Sequence, residues 1–404
     1  MKIDLFVTME WLGKQQQVGE LIATSNNGKE HYLFVYSKEW ANEGFAIDPS
    51  LNLVPGIPYH SSNLWGVFQD ISPDRWGRLV QDRSREGHST AADYMLGVSD
   101  YMRMGALRLS KQSSPYDYLA QHTSVPTLAS LRGLEEASRR LEDGLETDAD
   151  IQLLLEPGSS LGGAHPKAAI EDQGHLFIAK FQSRMSIVRT SSWEATLLEM
   201  AKIAGLNVAK HQLINPQGER PILLVKRFDR KDANRIPFAS AMTLMSLDDE
   251  SADDGSYIEL ADIIKKVSPQ PKIDQYELWR RMTFNAMVGN IDDHLRNHGF
   301  LHDQQGWRLS PAFDINPVAI QLEKRRHALS FDGERLTPSL KTCVELAPYF
   351  DVDKAMIDHA LLKIGKSLES WQDVARENTL EDEEIKRMEK AFNHEDTERL
   401  VSQI

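Results

Sequence analysis

The chain has 404 residues, 41% hydrophobic and 26% charged, the proportions of an ordinary globular protein with room for two or three domains and a sizeable core. A formal net charge of −14 argues against a protein whose main task is to hold nucleic acid, because phosphate neutralisation needs clustered Lys and Arg. One cysteine, Cys343, excludes an internal disulfide framework and a cysteine-based zinc site, and neither a signal sequence nor an apolar run of about 18 residues is seen, so the expectation is a cytoplasmic protein with no membrane segment.

In chain order, the alternating segments Leu5–Val7, Gln17–Ala23 and His31–Tyr36 predict a small antiparallel sheet, with Asn26, Asn27 and Gly28 as a hairpin turn. From Leu64 to Leu109 the pattern turns helical. Ser72 is placed as an N-cap with Pro73 at the first helical position, and Met104–Leu109 reads as a closing strand. Asp74, Arg75 and Arg78 are assigned to surface or interdomain ion pairs. Residues 111–126 read as a linker, and Leu128–Leu145 as a helix with Leu131, Leu134, Ala137 and Leu141 on its apolar face. The acidic stretch Leu380–Phe392 predicts an amphipathic surface helix. The expected division is an N-terminal subdomain over 1–110, a lobe carrying a phosphate loop and a lysine strand over 111–230, and a helical lobe over 231–404.

Two stretches carry chemistry. In the first, Gly158, Gly162 and Gly163 lie between short apolar runs, which suits a loop whose backbone N–H groups approach phosphates closely. Lys180 follows in the apolar run His175–Phe181, and a lysine within a buried strand needs an anion to face. A helix carrying Glu194 and Glu199, capped by Ser191 or Ser192, supplies candidates, with Glu194 preferred. The second stretch is Phe284–Phe300, in which Asp292 and Asn297 stand as D-x-x-x-x-N, followed by Asp314 after Phe313. That order is the one of a protein-kinase catalytic loop and its metal-binding aspartate. One carboxylate must meet the acceptor hydroxyl, while an amide oxygen and a second carboxylate supply hard oxygen ligands for magnesium.

Other chemistries fit less well. Gly158-Ser-Ser-Leu-Gly162 matches the nucleophile elbow G-x-S-x-G with Ser160 as nucleophile, but Gly162, Gly163 and Pro166 would interrupt the helix the elbow requires. His294 and His298 have the i, i+4 spacing of a zinc helix without the glutamate that follows the first histidine, so His294 is expected to pack under the catalytic loop instead.

With these residues in place, the chain resembles the HipA family of bacterial serine/threonine kinases, toxins of toxin-antitoxin pairs linked to persistence. The resemblance runs through Met104–Arg108, Ser160–Lys167, Phe177–Lys180, Leu224–Arg230, Gly289–Asn297 and Ala312–Pro317. It implies an α+β, two-lobed, protein-kinase-like fold, with a small β-rich N-terminal subdomain and a mostly helical C-terminal lobe. It implies ATP and Mg2+ as cofactors, Asp292 as catalytic base, and Asn297 and Asp314 on the metal. Ser160, Gly162, Gly163, Ala164 and Lys167 would form the phosphate loop, Lys180 would contact phosphate, and Lys226 and Phe228 would lie in the adenine-side hinge. Ser160 would be self-phosphorylated as an off-switch, with neighbouring Ser159 the other candidate. Implied partners are a small helix-turn-helix antitoxin (HipB-like), with DNA reached only through it, and a protein substrate such as an aminoacyl-tRNA synthetase. A small-molecule phosphotransferase or an inactive ATP-binding corepressor are the other readings. The chain departs from the family at Lys226, where glutamate is frequent, and at Asp293, where glycine is frequent; a second carboxylate there is expected to bias Asp292 or help a metal.

Overall fold

The computed structural model describes all residues except 1, 27, 86, 121–124, 156–164, 216–219, 233 and 403–404. Ser159, Ser160, Gly162, Gly163 and Ala164 therefore lie outside the described residues. The chain forms two compact units: Met1–Ala179 with Asp229–Ser246, and Lys180–Phe228 with Leu247–Ile404.

The first unit is built on strands β1 (Lys2–Trp11), β2 (Lys14–Asn26), β3 (Lys29–Tyr36), β4 (Tyr59–Ser61) and β5 (Arg108–Lys111), ordered β4-β3-β2-β1-β5. Leu5, Leu21 and Phe34 stand opposite one another across three antiparallel strands and are all fully buried. Period-two alternation puts Leu5, Val7, Met9 and Trp11 on the core side of β1. The strands extend well past the apolar segments because the first hairpin turns at Leu12 and Gly13, both left-handed at φ 53° and 74°. Helices α1 (Lys38–Glu43), α2 (Gly66–Asp70), α3 (Arg75–Arg83), α4 (Ala91–Leu96), α5 (Leu131–Glu142) and α6 (Asp148–Leu155) follow, then strands β6 (Lys167–Asp172) and β7 (His175–Lys180).

One sequence expectation needs correcting. The N-cap of α3 is Asp74, whose carboxylate accepts from Gly77 N at 2.7 Å, while Ser72 instead donates to Phe68 O. Asp74 also forms an ion pair, as expected of it, with Lys167 Nζ at 2.6 Å; the pair is buried, with the two side chains 5% and 4% exposed.

The returning segment contains β10 (Arg230–Lys231), β11 (Asn234–Arg235), β12 (Phe238–Ser240) and α8 (Ala241–Leu244). It joins two stretches far apart in sequence. Buried Asp229 accepts from Gly105 N at 2.7 Å, and Arg230 donates to the carbonyls of Tyr101, Arg103 and Gly105. Gly105 sits at φ 70° with Phe238 N only 3.0 Å from where a Cβ would stand, so no other residue fits there without strain.

The second unit holds α7 (Thr190–Ile203), the antiparallel pair β8 (His211–Ile214) and β9 (Ile222–Lys226), and helices α9 (Tyr257–Val267) and α10 (Pro271–Val288). The hairpin β13 (Gly299–Asp303) and β14 (Gly306–Leu309) follows, then α11 (Leu340–Leu346), α12 (Lys354–Glu369), α13 (Trp371–Glu377), α14 (Asp382–Phe392) and α15 (Glu395–Val401). Pro271 opens α10, and Gly289 at φ 70° closes it by donating to Asn285 O. From Leu278 to Val288 only Arg280 is not buried, so the helix is core on nearly every side. The acidic C-terminal stretch is the amphipathic α14, with Ile385, Met388, Ala391 and Phe392 inward.

Candidate active site

Lys180 ends β7, and α7 lies directly after the connecting segment. Its ammonium contacts Glu194 at 2.7 and 2.8 Å and Asp314 Oδ1 at 2.8 Å, while Asp314 N donates to Glu194 Oε1 at 3.2 Å. Burial alone would pull the lysine pKa down. The charges of Asp314 and then Glu194, with their hydrogen bonds, outweigh it and hold the pKa well above the usual lysine value. Glu199 is engaged elsewhere, with Lys202 and His211. Neither Ser191 nor Ser192 caps α7, because the helix starts at Thr190: Ser191 bonds back to Lys180 O and Ser192 faces Thr379. That first bond ties the helix bearing Glu194 to the strand bearing Lys180.

After Gly289 the chain forms a tight loop with a single 3-10 turn, Leu295–Asn297, before β13. Asp292 is exposed, and Asn297 is buried at 7%. The carbonyl of Asp292 accepts from His294 N at 3.0 Å and from Asn297 Nδ2 at 3.1 Å. Because a carbonyl can only accept, that bond identifies the nitrogen end of the Asn297 amide and reserves its oxygen, the end able to ligate a cation. Asn316 N to Asn290 Oδ1 at 3.4 Å and Val318 N to Gly289 O at 3.0 Å stitch this loop to the segment holding Asp314. Asp314 itself adopts φ 56°, a left-handed backbone that few side chains other than Asn and Asp tolerate.

Asp293 is 3% exposed and accepts from Tyr257, Asn285 and His298 on the inner side of the loop, an inward placement that gives no support to its expected help to a metal. Burial pushes its pKa up, but the charge of His298 and the three hydrogen bonds outweigh that and hold it well below the carboxylate range.

Phe228 packs on Phe313 with ring centroids 5.4 Å apart, which brings the expected hinge against the residue preceding Asp314. Lys226 N already donates to Lys210 O at 2.7 Å, so a backbone contact from Lys226 to a base would have to use its carbonyl. Lys167 lies in the first unit, in the ion pair with Asp74. Thus Lys180, Lys226, Phe228, Asp292, Asn297 and Asp314 all belong to one compact unit, and Lys167 belongs to the other.

The donor set fits magnesium: one carboxylate and one amide oxygen are hard ligands, and Mg2+ commonly takes one or two protein ligands and completes its shell with water and phosphate. Among the described residues no group of three or more His, Cys, Asp and Glu is arranged to hold a metal.

Two family models match this chain. The model for the HipA-like C-terminal domain matches residues 159–397, and the model for the HipA N-terminal domain matches 11–120. A candidate kinase of Sinorhizobium fredii, Y4mE, is 30% identical over 70% of this chain and 71% of its own. The serine/threonine-protein kinase toxin HipA of Shewanella oneidensis is 22% identical, covering 85% of this chain and 83% of that one. A solved complex of HipA, HipB and operator DNA from Shewanella oneidensis MR-1 superposes over 99% of this chain and 96% of that chain, with a TM-score of 0.70 at 15% identity, a likeness of fold. With both of its family models matched in order along one α+β, kinase-like chain, the protein belongs to the HipA family of protein kinases.

Proposed function

We propose that the chain is an ATP-Mg-dependent serine/threonine kinase and the toxin of a toxin-antitoxin pair. The observation that carries this is the meeting of Lys180, Glu194 and Asp314 beside a loop that presents Asp292 outward and the Asn297 oxygen unspent. Asp292 is assigned to accept the proton of the acceptor hydroxyl, Asn297 and Asp314 to hold magnesium, and Lys180 to orient the nucleotide phosphates with Glu194 fixing its amine. A bound magnesium ion would neutralise charge on the transferring phosphoryl group. The residues themselves contribute mainly position and fixed charge. The Gly158–Lys167 stretch is assigned to the phosphates, with Ser160 as a self-phosphorylated off-switch.

The acceptor is read as a protein of translation such as an aminoacyl-tRNA synthetase, and the inhibitor as a small helix-turn-helix antitoxin through which DNA would be reached. The support is family membership and the HipA–HipB–DNA assembly of the Shewanella oneidensis relative. No helix among the described residues is long and apolar enough to cross a membrane, in keeping with a cytoplasmic site of action. The test is phosphoproteomics after brief induction, with an Asp292→Ala control, beside transfer from labelled ATP by purified protein. One or a few acceptors lost in the control are expected. No transfer by the wild type would leave the corepressor reading, and phosphate found only on small molecules would replace the protein acceptor.

A further inference from the structure

Asp293 and His298 each lie one residue beyond a functional side chain, Asp293 after Asp292 and His298 after Asn297. Their side chains are bonded to each other, Nε2 to Oδ2 at 3.1 Å, at 3% and 2% exposure. The same Oδ2 accepts Asn285 Nδ2 at 2.8 Å and the Tyr257 hydroxyl. Asn285 is in the last turn of α10 and Tyr257 opens α9, so one carboxylate oxygen gathers two helices and the start of β13. Tyr257 also sets an edge-to-face contact on the His298 ring, with centroids 5.7 Å apart. The His298 Nδ1 is buried without a hydrogen-bond partner, so Nε2, which faces Asp293, is the ring nitrogen that makes the bond.

The loop therefore has two rungs. On the outer side Asn297 Nδ2 holds Asp292 O, and on the inner side His298 holds Asp293. Two rungs one residue apart fix both the separation of Asp292 and Asn297 and the direction each faces. A turn held by the outer bond alone would still be free to roll.

We propose that Asp293 and His298 are positioning residues that set Asp292 toward the acceptor hydroxyl and Asn297 toward magnesium; the proposal rests on the kinase reading above. Neither touches a reactant. Their loss displaces side chains that do, and a misplacement on the order of 1 Å lowers transfer by about 100-fold.

The test compares Asp293→Ala, Asp293→Asn, His298→Leu and His298→Gln in full-length protein. Asparagine keeps an acceptor oxygen and glutamine keeps an N–H donor. The readouts are melting temperature, kcat and KM for ATP, and binding of a fluorescent ATP analogue with magnesium titrated in and with EDTA. Asp293→Ala and His298→Leu are expected to lose about 100-fold in kcat and to need more magnesium for nucleotide binding, with binding in EDTA unchanged. Asp293→Asn and His298→Gln should recover most of both.

A folded His298→Leu with wild-type kcat and magnesium requirement overturns the proposal. So does a loss that follows melting temperature alone and affects binding equally with and without magnesium. Should the two truncating variants not fold, the decision falls to His298→Gln and Asp293→Asn, and their failure to fold as well would assign the pair to stability only and overturn the proposal. Absence of transfer by the wild type sinks the kinase reading instead, and the magnesium titration still decides the clamp.

Discussion

Replacing Lys180 with Met removes a single positive charge from between two carboxylates. The three side chains, Lys180, Glu194 and Asp314, are 17%, 4% and 24% exposed. At about 2.8 Å and an effective dielectric constant of about 20, each contact carries a gross attraction of ~6 kcal/mol, most of it offset by desolvation. What remains observable is the cost of taking the Lys180 charge away from buried Glu194 and its neighbour Asp314, about 3–5 kcal/mol. At about 2–4 °C per kcal/mol, melting should fall by roughly 10 °C. The assay is denaturant and thermal unfolding of wild type, Lys180→Met, Glu194→Gln and the double variant. Glu194→Gln added to Lys180→Met should restore more than half of the loss, a non-additivity expected of groups in direct contact. If Lys180→Met melts within about 2 °C of wild type, the carboxylates do not depend on the lysine and the reasoning fails, whatever happens to activity.

Four further outcomes are expected. Asp292→Ala and Asp314→Asn should both abolish transfer, but only Asp314→Asn should weaken magnesium-dependent nucleotide binding; asparagine is chosen because it accepts the left-handed backbone at φ 56°, and equal loss of binding in both would contradict the separate roles. Intact-mass analysis after incubation with ATP-Mg should show one added phosphate at Ser160 or Ser159 and falling ATP affinity; a phosphate mapped elsewhere would remove the switch. His302 and His327 are both held down at about 4, chiefly by burial, against 6.5 unfolded, so the unfolded chain takes up more protons between those values and stability falls as pH drops from 6.5 toward 4. The denaturation midpoint should drop over that window by an amount that His302→Gln reduces, and a flat profile would refute the assignment. Arg325, fully buried, donates to the carbonyls of Ile320, Ala286, Lys390 and Ala391, so Arg325→Met should cost ~4 kcal/mol or more by stranding them; unfolding free energy within about 1 kcal/mol of wild type would show that water replaces it.

What the sequence made legible was whatever a short window can encode. Alternation exposed β1 to β3, the 3.6 period exposed α5 and α14, and the spacing of Asp292, Asn297 and Asp314 marked a loop and hairpin that the chain does form. Hydrogen-bond choices between equivalent residues were not legible. Ser72 and Asp74 are both good caps, and Asp74 prevails because its carboxylate also meets Lys167, far along the chain. Ser191 and Ser192 looked like caps and lie inside α7 because Lys180 O claims the first of them. Asp293 read as a second carboxylate that would bias Asp292 or help a metal, since nothing local shows that Tyr257 and Asn285 wait behind the loop. The partner of Asp229 was equally hidden, because Gly105 N is a backbone group with no side chain to advertise it.

The division of the chain also has a consequence for its synthesis. The first unit is interrupted after Ala179 and regains Asp229–Ser246 only after the whole of Lys180–Phe228 has been made. At about 5–20 residues per second, the ribosome leaves that unit incomplete for roughly 3–13 s. During that interval Gly105 N lacks Asp229 and the carbonyls of Tyr101 and Arg103 lack Arg230. A nascent chain arrested before residue 229 should thus be open to proteases around Tyr101–Gly105, and one arrested with residue 246 clear of the exit tunnel should be closed there. A gene cut at residue 180 cannot separate the units, because the downstream piece carries away a segment the upstream one needs.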